Sequence, residues 1–101
     1  GDSMLVQLMR DGNIPELSFI KPNPVIGRAM IVGVKMHNEI PVSFEIVDMQ
    51  GKVVAKLSEQ VLSKGLHEIP VDTSTLPSGS YMLSLRAGST ILASSNVSIQ
   101  K

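Results

Sequence analysis

The chain has 101 residues, 43% of them hydrophobic, which suffices for one domain with an apolar core but not for two. Nine basic and nine acidic side chains give zero formal net charge without a run of like charge, which argues against nucleic acid or an anionic membrane surface as partner. There is no cysteine, which excludes disulfides and thiolate chemistry. No apolar run approaches roughly eighteen residues, so the sequence predicts no direct membrane insertion.

The first part of the chain, residues 1–18, is predicted to be a linker or a first strand from a preceding domain. Residues 4–9 are mostly apolar and suit either alternative, while the Asp11-Gly12 pair favours a turn. We expect residues 10–21 to act as a hinge that a protease can reach, with the main β-domain over residues 19–101.

A segment with two prolines, Pro22-Asn23-Pro24, follows a short extended piece that ends at Lys21. The prolines lack two N–H donors and disfavour the α region for the residues before them. We therefore expect this segment to be extended, at a sheet edge or in solvent, and to lead into a strand.

Alternation of apolar and polar residues predicts two strands in the middle of the chain, from Arg28 to Met36 and from Val42 to Val47. Their apolar faces consist of Met30, Val32, Val34, Met36, Val42, Phe44 and Ile46. Because the link from His37 to Pro41 is short, the two strands are predicted to form an antiparallel hairpin.

The next turn is predicted at Asp48-Met49-Gln50-Gly51, where the Asp48 carboxylate can accept a backbone hydrogen bond and the glycine can take positive φ. Residues 52–57 are read as a strand. Residues 58–65 are expected to be an irregular loop, although one helical turn competes there. Residues 66–71 are again extended, with His67, Ile69 and Val71 on one side.

Leu76-Pro77-Ser78-Gly79 predicts another turn, because the proline has φ set for the second position and Gly79 can take positive φ. The next strand alternates, with Tyr81, Leu83 and Leu85 inward and Met82, Ser84 and Arg86 outward. The Tyr81 hydroxyl needs a partner when its ring is buried, so we expect it near a sheet edge, bonded to backbone. A last alternating strand covers residues 91–99.

About seven short strands and no periodic helix predict an all-β fold in which two antiparallel sheets form a sandwich. A closed barrel remains possible at this point. The predicted core comprises Met30, Val32, Val34, Phe44, Ile46, Ile69, Tyr81, Leu83 and Val97.

Residues suited to catalysis or metal binding are sparse. The possible imidazole bases are His37 and His67, thirty residues apart, and neither lies in a catalytic motif or has the paired ligands of a zinc site. Asp48 and Asp72 lie in turns without a cluster of oxygen ligands. We predict no catalytic residue, no metal and no cofactor.

Three stretches resemble the C-terminal sorting domain of the type IX (Por) secretion system of the Bacteroidetes: residues 22–24, 44–54 and 76–85. They occur in that family's order and spacing, and a last strand ending in Lys101 follows them. The resemblance covers about residues 19–101 and rests on order and spacing, since none of the motifs is specific alone. One departure is Ser94-Ser95-Asn96, where family members often carry a second lysine.

This resemblance implies an immunoglobulin-like sandwich of about seven strands that has no catalytic activity and directs its cargo across the outer membrane. Its partners are then an outer-membrane translocon and a cell-surface sortase, and the protein passes through the periplasm to the surface or the medium. Matching positions implied to carry the signal are Pro22, Asn23, Pro24, Asp48, Gly51, Lys52, Gly79, Tyr81 and Lys101. We also expect the last strand to lie at a sheet edge, where a receptor can add a strand and contact Lys101.

Two alternatives share this fold. One is a retained domain of a secretion-system component, and the other is an accessory immunoglobulin-like or fibronectin-like module of a surface protein. The sequence does not decide among them, nor does it give an oligomeric state.

Overall fold

A computed structural model of the protein describes residues 12–101. Those residues form eight strands and no helix. The strands are β1 (Glu16–Lys21), β2 (Val25–Ile26), β3 (Ala29–Met36), β4 (Ile40–Val47), β5 (Val53–Leu62), β6 (Gly65–Asp72), β7 (Gly79–Ala87) and β8 (Thr90–Gln100). The expectation of a strand or linker over residues 4–9 lies outside the described residues.

The strands form two sheets, with the order β1-β3-β6 in one and β2-β8-β7-β4-β5 in the other. Neighbouring strands are antiparallel except β2 and β8, which are parallel. The predicted all-β sandwich is therefore confirmed, with eight strands rather than about seven. The additional strand is β2, whose two residues are too few to show an alternating pattern.

The core lies between the two sheets, and all nine core residues predicted from the sequence are buried. The other buried apolar side chains are Val25, Met36, Ile40, Val42, Leu62, Val71, Leu76, Leu85, Ala87 and Ile99. Because few aromatic rings are present, aliphatic side chains and methionines fill most of this space, and Met30 and Met36 are each 1% exposed.

The predicted hairpin between β3 and β4 is wrong, because these strands belong to different sheets. β3 pairs with β1 and β6, whereas β4 pairs with β5 and β7. A link of three residues, 37–39, is long enough to cross the roughly 10 Å between packed sheets, since an extended residue spans about 3.3 Å. The length of this link is therefore compatible both with a hairpin within one sheet and with a connection that crosses from one sheet to the other.

The predicted irregular loop over residues 58–65 is also wrong, because β5 continues to Leu62 and only Ser63 and Lys64 separate it from β6. Phe44 pairs with Leu57 but Val42 pairs with Gln60, so β5 carries one extra residue in a β-bulge. A bulge interrupts the period-2 pattern, which explains why alternation stopped near Ser58.

Part of the expected hinge is regular structure. β1 begins at Glu16, and Leu17 pairs with Val34 of β3, so the segment from Glu16 to Lys21 is a strand of the sandwich. A hinge before Glu16 remains a prediction, as does the domain boundary.

Candidate recognition site

The turn between β4 and β5 is built by Asp48. Its Oδ1 accepts hydrogen bonds from the backbone N–H groups of Gln50 and Lys52, both at 2.9 Å, and Gly51 has φ of +84°. The Asp48 backbone adds bonds with Gly51 at 3.0 Å and Lys52 at 2.9 Å. The turn predicted from these residues is confirmed, and its tip leaves Met49 78% exposed.

The turn predicted at residues 76–79 is wrong. The hydrogen-bonded turn lies earlier, where Leu76 N–H donates to Thr73 O at 3.1 Å and Ser74 N–H donates to the Asp72 carboxylate at 2.9 Å. Asp72 closes this turn locally, and the 2% exposed Leu76 anchors its end in the core. The positive φ predicted for Gly79 is confirmed at +158°, although this residue begins β7 rather than closing a turn.

Tyr81 is bonded to backbone as expected, because its hydroxyl donates to Pro77 O at 2.5 Å while its ring is buried. The expectation that it lies near a sheet edge is wrong, since β7 is the middle strand of the five-stranded sheet. A buried tyrosine whose hydroxyl reaches back to the backbone a few residues upstream is typical of immunoglobulin-like sandwiches. This bond fixes the extended link that enters β7.

The last residue, Lys101, is held against the same segment. Its backbone N–H donates to Ser78 Oγ at 3.0 Å, and its Nζ donates to Thr73 O at 2.9 Å and Ser74 O at 3.0 Å. Although Lys101 is exposed, its ammonium is used within the domain. Lys101 therefore joins the end of β8 to the turn before β7.

The charge beside this turn is stabilised by local bonds. The Ser74 backbone and hydroxyl hydrogen bonds hold the pKa of the Asp72 carboxyl below its ordinary value, and the positive charges of Lys101 and Arg28 lower the pKa further. The carboxylate is fully exposed, so the turn presents a persistent negative charge next to the bound ammonium.

The expectation that the last strand lies at a sheet edge is wrong for the end of β8, because β2 pairs with Ile99 and Gln100 on the side opposite β7. Pro22-Asn23-Pro24 carries the chain from β1 of one sheet to β2 of the other, and both X-Pro peptide bonds are cis. Asn23 shares a small cavity with Ser95 and Asn96, so this segment lies beside β8 rather than at its end.

Strand register brings the remaining positions that were predicted to carry the signal to one end of the five-stranded sheet. Val47 pairs with Met82, and Gly79 pairs with Ile99, so the end of β4, the start of β7 and the end of β8 are adjacent. Residues 48–50 and 79–81 line one shallow cavity. We call this end, with Asp48, Gly51, Lys52, Gly79, Tyr81 and Lys101, the motif end.

Sequence reasoning missed the partners of Lys101, which are Thr73, Ser74 and Ser78. The sequence shows that this segment is rich in hydroxyl side chains. It does not show which backbone carbonyls will bind an ammonium from a distant part of the chain. Alternation placed Met82 on the outer face, but sequence reasoning missed that the 41% exposed Met82 and Met49 both add apolar surface to the motif end.

Neither histidine lies at the motif end. His37 Nε2 is 3.1 Å from a Glu16 carboxylate oxygen, and His67 Nε2 donates to Ser63 O at 2.7 Å. Within residues 12–101, no three acidic or histidine side chains are grouped to hold a metal ion. The same residues include no helix long and apolar enough to cross a membrane.

Comparison with known proteins gives one family. A family model described as "Secretion system C-terminal sorting domain" matches residues 20–100. Among solved structures, an immunoglobulin-like protein from Pseudomonas aeruginosa is similar, with 14% identity over 75% of this chain and 76% of that chain and a TM-score of 0.45. No curated protein matches the sequence.

Proposed function

Because this chain belongs to the family of secretion-system C-terminal sorting domains, we propose that it is a non-catalytic signal domain recognised by the type IX machinery at its motif end. Family membership means that the protein carrying it is exported to the surface or the extracellular space and contacts secretion machinery.

The observation that supports this proposal is the meeting of separate motifs on one surface. The Asp48 turn and the start of β7 are about thirty residues apart in sequence, yet they line the same shallow cavity. Internal hydrogen bonds of Asp48, Tyr81 and Lys101 fix the backbone there before any partner binds. A surface ordered in advance loses less conformational entropy on binding.

The exposed groups of the motif end suit a protein partner. Met49 and Met82 offer apolar contact, and Lys52 is an exposed cation of the same turn as Met49. Methionine side chains adapt to varied surfaces, and a single cation adds orientation without the strong field that a nucleic acid requires. We propose that an outer-membrane translocon and a sortase read this surface after the protein has reached the periplasm of a member of the Bacteroidetes.

The test fuses a reporter protein to this chain and measures its distribution between periplasm and medium in a bacterium with a type IX system. Met49→Glu places a charge at the motif end, and Ile91→Glu is the matched control, because Ile91 is 55% exposed and pairs with Arg86 near the opposite end of β7. Both purified variants are first checked for unchanged thermal unfolding.

We expect Met49→Glu to leave the reporter in the periplasm and Ile91→Glu to be exported normally. Equal export of both variants, together with normal export of Lys52→Glu, would show that the motif end is not the recognised surface. Retention of both stable variants would instead indicate that recognition extends over the whole domain.

A further inference from the structure

β2 carries a large apolar residue that lies outside the sequence motifs. Ile26 is 65% exposed, whereas its neighbour Val25 is buried. Val25 pairs with Ile99 and Ile26 with Gln100, so alternation directs Val25 into the core and Ile26 to the outer face of the five-stranded sheet. Single exposed apolar residues are common, so the importance of Ile26 depends on what surrounds it.

The neighbours of Ile26 on this outer face lie at the motif end or directly beside it. Gln100 is its partner on β8, and Ser98 lies two residues earlier on the same face. Ser98 pairs with Ser80 of β7, and Met82 follows Ser80 on that face because side chains alternate along a strand. Strand register therefore forms one row of exposed side chains from Ile26 to Met82.

This row is apolar at both ends and contains no charged side chain. Ser80 and Ser98 are small, so Ile26 and Met82 project further than the centre of the row. Two strand spacings and four residues of β8 separate Ile26 from Met82, a distance of roughly 17 Å. Ser80 also lines the shallow cavity beside Met49. The row thus continues the motif end across β8 to β2.

The row is remote from the first described residue. Gly12 lies beside Leu92 and Ala93, near the start of β8. β1 also begins at that end of the domain, where Glu16 pairs with Lys35. The chain therefore enters the sandwich at the end away from the row, which suits a surface that a partner reaches while a passenger is attached.

On the basis of the proposed function, we propose that Ile26 is a further contact residue of the recognised surface. The partner that fits the row is an uncharged, extended segment of a protein of the secretion machinery, about five residues long at about 3.4 Å per residue. An apolar side chain at each end of that segment packs on Ile26 and on Met82, and polar groups between them bind the hydroxyls of Ser80 and Ser98. A charged segment fits poorly, because the uncharged row supplies no counter-charge for a charge that binding removes from water.

This contact also gives a role to Pro22-Asn23-Pro24, which lies away from the motif end. The segment connects β1 of one sheet to β2 of the other, and Val25 follows it directly. Because Val25 is buried and paired with Ile99, β2 is held in place and the direction of Ile26 is fixed. The segment is then a positioning element that acts by bringing Ile26 beside the end of β8.

The test fuses the full chain to a reporter protein and measures the ratio of extracellular to periplasmic reporter in a bacterium with a type IX system. Ile26→Glu places a charge in the row, and Val61→Glu is the matched control. Both residues are β-branched, they are 65% and 63% exposed, and their strands β2 and β5 are first and last in the order of the same sheet. Val61 pairs with Pro41 near the start of β4, away from the motif end. Thermal unfolding is measured for each purified variant.

We expect Ile26→Glu to lower this ratio by roughly tenfold or more, as the loss of a central interface contact does. Val61→Glu and the conservative Ile26→Val should be exported like the original chain. Ile26→Thr keeps the β-branch and removes apolar surface, so it should lower the ratio in the same direction and replaces Ile26→Glu where that variant is less stable.

Normal export of Ile26→Glu and Ile26→Thr, with Met49→Glu retained, would overturn this inference and leave the proposed function intact. Normal export of the Ile26 and Met49 variants alike would overturn both. Equal losses for Ile26→Glu and Val61→Glu would also contradict the inference, since position would then not matter. Dimerisation of the original chain that Ile26→Glu abolishes in sedimentation would overturn it as well, because a second copy would then occupy the row.

Discussion

Removing the Tyr81 hydroxyl tests whether the start of β7 is fixed by a single hydrogen bond. In Tyr81→Phe the 6% exposed ring keeps its packing, but Pro77 O loses its donor in a partly buried position. A neutral hydrogen bond contributes about 0.5–1.5 kcal/mol, and leaving a buried partner unpaired costs about 1–3 kcal/mol. We therefore expect the free energy of unfolding to fall by about 1–3 kcal/mol.

Urea unfolding, followed by circular dichroism, measures this difference. For a domain of this size, each kcal/mol lowers Tm by about 4–8 °C, so a thermal scan gives an independent value. Ser80→Ala is the matched control, because Ser80 is the exposed neighbour of Tyr81. A loss below about 0.5 kcal/mol for Tyr81→Phe would refute the argument, since water would then satisfy Pro77 O equally well.

Three further substitutions and one proteolysis experiment test other parts of the structure. Ile46→Ala, at a site 1% exposed, should lower the free energy of unfolding by about 2–5 kcal/mol in urea. Gly33→Ala places a Cβ against the Phe19 ring and should cost about 1–3 kcal/mol, with a smaller cost in a Phe19→Ala background if that overlap is the cause. The folded state lowers the pKa of Asp72, so the ionised carboxylate stabilises the fold at pH values above its ordinary pKa of 3.8, and this stabilisation is lost as pH falls through the folded pKa. Asp72→Asn should therefore flatten this part of the curve of unfolding free energy against pH. Limited proteolysis with intact-mass detection should cut before Glu16 and spare β1, whereas a first cut inside β1 would contradict its pairing.

The inward faces of the strands could be predicted from the sequence because side-chain alternation is a local property. Every apolar residue that the sequence placed on the inward face of these two strands is buried, among them Val32 and Phe44. Strand pairing was not predictable in the same way, since facing strands of two sheets show the same alternation as neighbours in one sheet. The assignment of β3 and β4 to a hairpin failed for this reason.

β-Bulges are a second reason why side-chain orientation could not be fully predicted from the sequence. In β8, Arg86 pairs with Ile91 but Leu85 pairs with Ala93, so Leu92 is an extra residue. The shift leaves Ile91 55% exposed although it follows the alternation of the inward residues Val97 and Ile99. A change of register by one residue turns side chains to the opposite face, and the sequence alone does not show where that change occurs.

A side chain on the outer face of a sheet is also not necessarily exposed to solvent. Ser84 points to the outer face of the five-stranded sheet, yet it is only 5% exposed. It is flanked in the sheet by Glu45 and Ser94, and the Arg86 guanidinium is paired with the Glu45 carboxylate next to it. Long charged side chains can cover a central strand, so alternation predicted the face of Ser84 but not its burial.

In the candidate site, too, contacts between residues close in sequence could be predicted, and contacts between distant residues could not. The Asp48 turn was predictable because its partners lie within four residues, as were the Tyr81 backbone bond and its buried ring. Lys101 binds carbonyl groups 28 and 27 residues away along the chain. The sequence could not show these bonds, and from it Lys101 was expected to be an exposed contact for a receptor. Since its ammonium binds the Thr73 and Ser74 carbonyls, loss of Lys101 changes the support of the motif end as well as its charge. A secretion defect after removal of this residue is therefore evidence for a contact with the machinery only when the Asp72 turn is shown to keep its structure.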